Sequence, residues 1–207
     1  MHISDGVLPA ELWISGTVVT SAGVAYVLAK KTDATEMPKL AVVTGAMFVA
    51  SLIHIPVGET SIHLILSGLA GIVLGLAAIP AIFVSLILQA LLFQHGGLTT
   101  LGINTLIMGL PALVAYGLFW TGMKSNIARK HALFGGIAGG MAICLGVCLL
   151  YLCLLTIGMD SEWLLLCIVV PHLVVVAIEA VIVGGFAEFV VKVKPEILQG
   201  QRSAELG

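Results

Sequence analysis

Residues 163–191 read Trp-Leu-Leu-Leu-Cys-Ile-Val-Val-Pro-His-Leu-Val-Val-Val-Ala-Ile-Glu-Ala-Val-Ile-Val-Gly-Gly-Phe-Ala-Glu-Phe-Val-Val, with no Lys or Arg among them. A helix needs about 20 mostly apolar residues to cross a hydrocarbon core of ~30 Å, and this run is longer than that. Six further apolar runs precede it, at Leu12–Ala29, Leu40–Ile55, Ser61–Pro80, Ala81–Phe93, Leu101–Trp120 and Leu133–Ile157. The chain of 207 residues is 59% hydrophobic and 10% charged, with a mean hydropathy of +1.15. A soluble domain carries about 25% charged residues, so a bilayer is the expected solvent. The expected fold is an all-α integral membrane protein of about seven transmembrane helices in a single domain, residues 12–191 forming the bundle.

The basic residues support the count independently. With seven spans and the N-terminus outside, Lys30, Lys31, Lys39, Lys124, Arg129, Lys130, Lys192, Lys194 and Arg202 all fall on the cytoplasmic side. That is the positive-inside bias, and one helix more or fewer early in the chain would scatter them. The C-terminus, with residues 192–207 as its tail, is then cytoplasmic. The start does not read as a signal peptide, because its early charges are Asp5 and Glu11 and the basic pair follows the apolar run. A net charge of −2 argues against nucleic acid as a partner. Cys144, Cys148, Cys153 and Cys167 lie in apolar runs without a Cys-x-x-Cys pair and read as buried small hydrophobes.

Polar chemistry concentrates in a few places. At the start, a free Met1 amine, the His2 main-chain nitrogen and the His2 Nδ1 can close a five-membered and a six-membered chelate ring around one ion. Three coplanar nitrogens with a fourth position open suit Ni(II) or Cu(II) better than Zn(II) or Mg(II). The alternative is an ordinary terminus without function. Ile3-Ser4-Asp5-Gly6-Val7-Leu8-Pro9 mixes turn formers with apolar anchors, unlike a flexible tail, so residues 1–11 form a candidate metal-binding segment.

His54-Ile55-Pro56-Val57-Gly58-Glu59-Thr60-Ser61-Ile62-His63 places two imidazoles around a Pro-Gly turn on the same side as the N-terminus. His63 is expected in the first turn of the third span, where it could supply the fourth nitrogen. An interfacial polar loop is the alternative. Gln94-His95-Gly96-Gly97-Leu98-Thr99-Thr100-Leu101-Gly102-Ile103-Asn104 should bend back toward the same site, since irregular backbone at membrane depth must be buried or line a cavity. Asn104 and Gln89 are amides that need partners, either a ligating imidazole or another helix. His54, His95, Asn104 and Asp5 are therefore candidate alternative ligands or supports of the ligands. His172 and Glu179 share a face of the last run, and an intramembrane ionisable pair is a candidate ion path; a structural partner for Glu179 is the other reading.

The chain has neither G-x-x-x-x-G-K-[ST] nor H-E-x-x-H, so neither a P-loop ATPase nor a zincin is expected in it. Met1-His2-Ile3 with Asp5-Gly6 and Leu8, Gly58-x-Thr60-x-x-His63-Leu64, and His95-Gly96-Gly97-Leu98-Thr99-Thr100-Leu101-Gly102-x-Asn104 with Met108-Gly109 resemble the CbiM/NikM family. Beyond about Pro111 the likeness rests on helix count and the His172…Glu179 spacing. The family comprises the substrate-binding S components of energy-coupling factor (ECF) transporters for cobalt and nickel. The resemblance implies a non-enzymatic transport subunit in a bacterial or archaeal inner membrane, with Ni(II) or Co(II) as cargo and no permanently bound cofactor. It implies ligation by Met1, His2 and His63. It also implies a transmembrane T component (CbiQ/NikQ-like), cytoplasmic ATPases (CbiO/NikO-like) and, as a separate chain, an accessory membrane subunit. A proton-coupled permease or membrane enzyme using His172 and Glu179 is the competing expectation.

Overall fold

The computed structural model describes residues 2–31, 34–57 and 60–198, and their side chains except at 30, 31, 34, 54–57, 60 and 61. Helix α1 (Ala10–Lys31) is followed by α2 (Met37–Ser51), whose first turn carries Pro38, where a missing N–H has no consequence. A two-stranded antiparallel hairpin comes next, β1 (His54–Val57) and β2 (Thr60–His63), with His54 opposite His63 and Ile55 opposite Ile62. Then come α3 (Ser67–Leu74), α4 (Ala78–Phe93), α5 (Leu101–Gly122), α6 (Lys130–Thr156) and α7 (Ser161–Val193). Helix α7 opens on Asp160, whose carboxylate accepts the Trp163 N–H at 2.7 Å, and widens into a π turn over Leu165–Val169.

Two sequence expectations change here. The second and third apolar runs do not meet as helix ends: His54-Ile55 and Thr60–His63 are extended, so His63 sits on a strand and not in a first helical turn. β-branched residues between a Pro and the following helix fit a pleated ribbon better than a helix start. The break expected near Pro80 lies earlier, in a tight turn at Gly75–Ala77 where Gly75 has φ +54°. Pro80 itself falls in the first turn of α4, where it interrupts no hydrogen bond.

Five helical stretches are long and apolar enough to cross a bilayer: Ala10–Ala29, Ser67–Phe93, Leu101–Gly122, Lys130–Thr156 and Ser161–Val193, with Met37–Ser51 shorter. The stretch Ser67–Phe93 is not one straight rod. A 27-residue helix would hold its ends about 40 Å apart. Yet His63, just before it, and Gln89, near its end, both contact the His2 imidazole. The chain therefore reverses at Gly75–Ala77, and α3 enters the bundle while α4 returns to the end it came from.

Helix α3 is buried along its whole length. It can be so because its neighbours come close: a Cβ on Gly71 would lie 2.0 Å from the Ala112 carbonyl oxygen of α5, and one on Gly68 2.6 Å from Gly139 Cα of α6. In lipid, where apolar burial drives little helix association, such backbone-to-backbone approach supplies the dispersion contacts. Phe119, Ile72, Ile143 and Leu150 complete the interior, whereas Val181 (76% exposed) and Val18 (63% exposed) show that α7 and α1 turn apolar faces outward. Cys144 and Cys148 lie on the exposed surface of α6, so the burial expected for them is not found.

Alternating helix directions give the bundle two unlike ends. His2, Gln89 and Asn104 gather at one. Lys124, Lys130 and Lys192 belong to the other, at the far ends of α5 and α7 and the start of α6. There Lys130 donates to the Met123 carbonyl at 2.7 Å and Lys192 pairs with Glu188 at 2.9 Å.

Candidate metal site

The N-terminal segment is threaded into the bundle by its main chain. Ile3 N–H donates to Asn104 Oδ1 at 2.9 Å, and Asn104 Nδ2 donates back to the Ile3 carbonyl at 2.9 Å. Thr100 Oγ1 donates to that same carbonyl at 2.6 Å. The Ile3 side chain is fully buried and Leu8 nearly so. Asp5 closes the segment from the other side: its carboxylate accepts the N–H groups of Leu98 (3.1 Å) and Thr99 (2.9 Å) and the Thr99 hydroxyl. Burial alone would push the Asp5 carboxyl up; these donors outweigh it and hold the group below the usual carboxylate range. Gly97 is required for the approach, since a Cβ there would meet Asp5 Oδ1 at 2.1 Å. The loop 95–100 thus bends back over the N-terminal segment, as its glycines suggest.

Docking of Ile3 puts His2 inside, 3% exposed, against His63, 4% exposed. His2 Nδ1 and His63 Nε2 are 3.1 Å apart, with ring centroids at 4.6 Å. The other nitrogen of each ring faces a pure acceptor. His2 Nε2–H donates to Gln89 Oε1 at 2.6 Å, and His63 Nδ1–H donates to the Leu64 carbonyl at 2.7 Å. The tautomers follow from these acceptors: each neutral ring keeps its hydrogen on the carbonyl side and its lone pair on the shared side. Burial holds His63 well below the ordinary histidine range, against the opposing pull of the Leu64 carbonyl, so that ring stays neutral.

Two imidazole lone pairs aimed at each other repel unless a cation lies between them. Two nitrogens each about 2.0–2.1 Å from one ion and at right angles are about 2.8–3.0 Å apart. The 3.1 Å separation needs only a few tenths of an ångström of closure to become that arrangement. Among the described residues no group of three His, Cys, Asp or Glu side chains converges on one point. Met1, expected as a further donor, lies outside the described residues.

The other candidates make different contacts. His95 lies half-buried with its ring 6.1 Å from that of Phe93. His54 pairs with His63 through the β-ladder, and its side chain lies outside those described. Asn104 and Asp5 hold main chain and loop, and the amide that touches the His2 ring is Gln89, supported by Ser85 at 3.0 Å. The spacing of Ser85 and Gln89, four residues apart in an apolar run, marks them as one helix face, but nothing in the sequence says that His2 reaches it. Glu179 Oε1 accepts the N–H groups of Ile65 (2.6 Å) and Leu66 (2.7 Å), tying α7 to the residues between β2 and α3. Its Oε2 has no hydrogen-bond partner among the described residues. His172 Nδ1–H donates to the Ile168 carbonyl at 2.7 Å. Beside His172 runs an apolar groove of about 280 Å³ that Cys144, Cys148, Tyr151 and Leu173 also line.

Residues 2–197 match the protein-family model described as "Cobalt uptake substrate-specific transmembrane region", CbiM. A protein of Haemophilus influenzae described as a metal transport protein is 36% identical over 203 residues, 96% of this chain and 97% of its own length. The fused nickel transport protein NikMN of Rhodobacter capsulatus is 32% identical over 147 residues, 67% of this chain but 42% of that protein. A solved structure titled as a transition metal transporter superposes with a TM-score of 0.76 at 23% identity, covering 100% of this chain and 99% of that one, which speaks to the fold. The chain belongs to the CbiM family of substrate-specific transmembrane proteins of cobalt uptake.

Proposed function

We propose that this protein captures Ni(II) or Co(II) on the outer face of a bacterial or archaeal inner membrane and passes it inward as the S component of an ATP-driven ECF transporter. The observation that carries the reading is the pair of convergent lone pairs on His2 and His63, each fixed by a carbonyl behind it. The donor set is the Met1 amine, the His2 main-chain nitrogen, His2 Nδ1 and His63 Nε2. Four nitrogens in a plane favour Ni(II), and the Irving–Williams order also places it above Co(II). Deprotonating the His2 amide is the demanding step, and its reprotonation on the inner side would help the ion leave.

The segregation of basic side chains to the end opposite His2 supports an orientation with His2 outside. ATP hydrolysis is assigned to separate ATPases with a transmembrane T component, since the chain lacks a P-loop. The NikMN name supports a further N-type component beside this one.

The test is anaerobic titration of purified protein with Ni(II) and with Co(II). The intact chain is compared with His2→Ala, His63→Ala and a form extended by one glycine before Met1. Stoichiometric binding with a diamagnetic square-planar nickel spectrum, lost in all three variants, is expected, together with loss of uptake in cells. Normal uptake by His2→Ala would sink the proposal. Binding that ignores the added glycine would remove the Met1 amine from the donor set.

A further inference from the structure

Gln89 is an uncharged amide, 1% exposed, in a helix whose one other polar side chain is Ser85. Burying such a group among lipid-facing helices is costly unless each polar atom is matched. Here both ends are: Nε2 donates to Ser85 Oγ at 3.0 Å, one turn earlier on α4, which leaves Oε1 facing His2 Nε2 at 2.6 Å. The second ring is treated alike, with the Leu64 carbonyl at 2.7 Å from His63 Nδ1. Both acceptors are neutral. Among the described residues the nearby carboxylates are turned to other donors: Asp5 to Leu98 and Thr99, and Glu179 to Ile65 and Leu66.

A hydrogen bond on the distal N–H of a ligating imidazole fixes its tautomer and raises its donor strength, and removing one typically costs 10–100-fold in metal affinity. A carboxylate raises it further and adds a negative charge beside the ion; an amide carbonyl orients the ring without that charge. For a resident metal the stronger partner is an advantage. For a cargo that must leave again it is a hindrance.

We infer that Gln89, braced by Ser85, is a positioning residue that presents His2 Nδ1 as a lone pair to the ion and, being neutral, keeps the bound ion releasable. The inference rests on the metal-capture reading of the same site. It extends that reading from which atoms bind the ion to what sets the balance between capture and release.

The experiment uses the full purified chain and NiCl2 as probe. It reads equilibrium affinity, the dissociation rate on adding excess chelator, and the nickel d–d absorption band. Gln89→Leu removes the acceptor and should lower affinity ~10–100-fold. Gln89→Glu should restore affinity to at least the parent level, move the band to higher energy, and slow chelator-driven release by about tenfold, with lower uptake in cells. Ser85→Ala, which leaves the amide in place but unbraced, should fall between parent and Gln89→Leu. It also serves as the readout if Gln89→Leu does not fold.

A residue that merely fills space would give no such opposition between binding and release. Unchanged affinity and spectrum in Gln89→Leu, or in Ser85→Ala where that variant must stand in, would overturn the tautomer role. Release from Gln89→Glu as fast as from the parent would overturn the role of neutrality. If the parent protein binds no nickel, the capture reading itself fails and this inference with it. If the parent binds and His2→Ala does not, while Gln89→Leu behaves as the parent, only the inference falls.

Discussion

Asn104 holds the main chain of Ile3 at both its polar groups, accepting the N–H at 2.9 Å and donating to the carbonyl at 2.9 Å. One side chain on α5 thereby does for the N-terminal segment what a neighbouring strand does in a sheet. It fixes the main chain next to His2, whose ring lies between His63 and Gln89. Cutting this pair orphans the buried Ile3 N–H, at a cost of about 1–3 kcal/mol, while the Ile3 carbonyl keeps the Thr100 hydroxyl. Asn104→Ala should therefore lower thermal stability measurably and weaken nickel binding, although the hydrogen bonds of Asn104 go to Ile3 and Thr100 and not to an imidazole. Isothermal titration of the variant at wild-type folding is the check, and unchanged affinity would contradict the clamp.

Glu179 serves the turn after β2 in a comparable way. Its Oε1 takes the Ile65 and Leu66 N–H groups, and Leu66 sits at φ +57°, a conformation a leucine adopts only when its surroundings hold it there. Glu179→Leu should destabilise by about 3 kcal/mol, from two orphaned donors in a nearly dry interior. Glu179→Gln retains a carbonyl acceptor and should recover most of that. Equal damage from both variants, read by thermal unfolding in detergent, would show instead that the charge on Glu179 is what matters.

The approach of α3 to α5 at Gly71 predicts a steric penalty. A methyl group there would need to push the Ala112 carbonyl away from a 2.0 Å contact. Overpacking of this kind usually costs about 1–3 kcal/mol. Gly71→Ala should accordingly lower the melting temperature, whereas Gly45→Ala, where no atom lies within 4 Å, should not.

The Asp5 carboxylate carries a pH signature. Its folded pKa is depressed, so its stabilising contribution is fully present above the unfolded value of about 3.9 and disappears as pH falls through the lower folded value. The stability difference between wild type and Asp5→Asn should be constant from pH 5 to 8 and shrink only below about pH 4. Because Asp5 is exposed, the difference should stay near 1 kcal/mol or less. A difference that already changes between pH 5 and 7 would assign the effect to another group.

Much of this was legible in the sequence because it depends on solvent. The run from Trp163 to Val191 must be helical in lipid, where every backbone group needs an internal partner, and the placement of the lysines and arginines follows the same constraint. The glycines of loop 95–100 and the chelating potential of His2 are likewise local properties of the residues themselves. The hairpin was not legible: Thr60-Ser61-Ile62-His63 would serve equally at a helix start, and what makes them a strand is their pairing with residues 54–57. Nor was the reversal at Gly75–Ala77, since an apolar run reads the same whether it continues or folds back. Only the tertiary structure brings Gln89 to His2 and assigns Asn104 to Ile3, contacts spanning 87 and 101 positions. Hydrophobic pattern specifies which residues leave water; which buried polar atoms then meet is decided by packing geometry, because each must find a partner inside and several could serve.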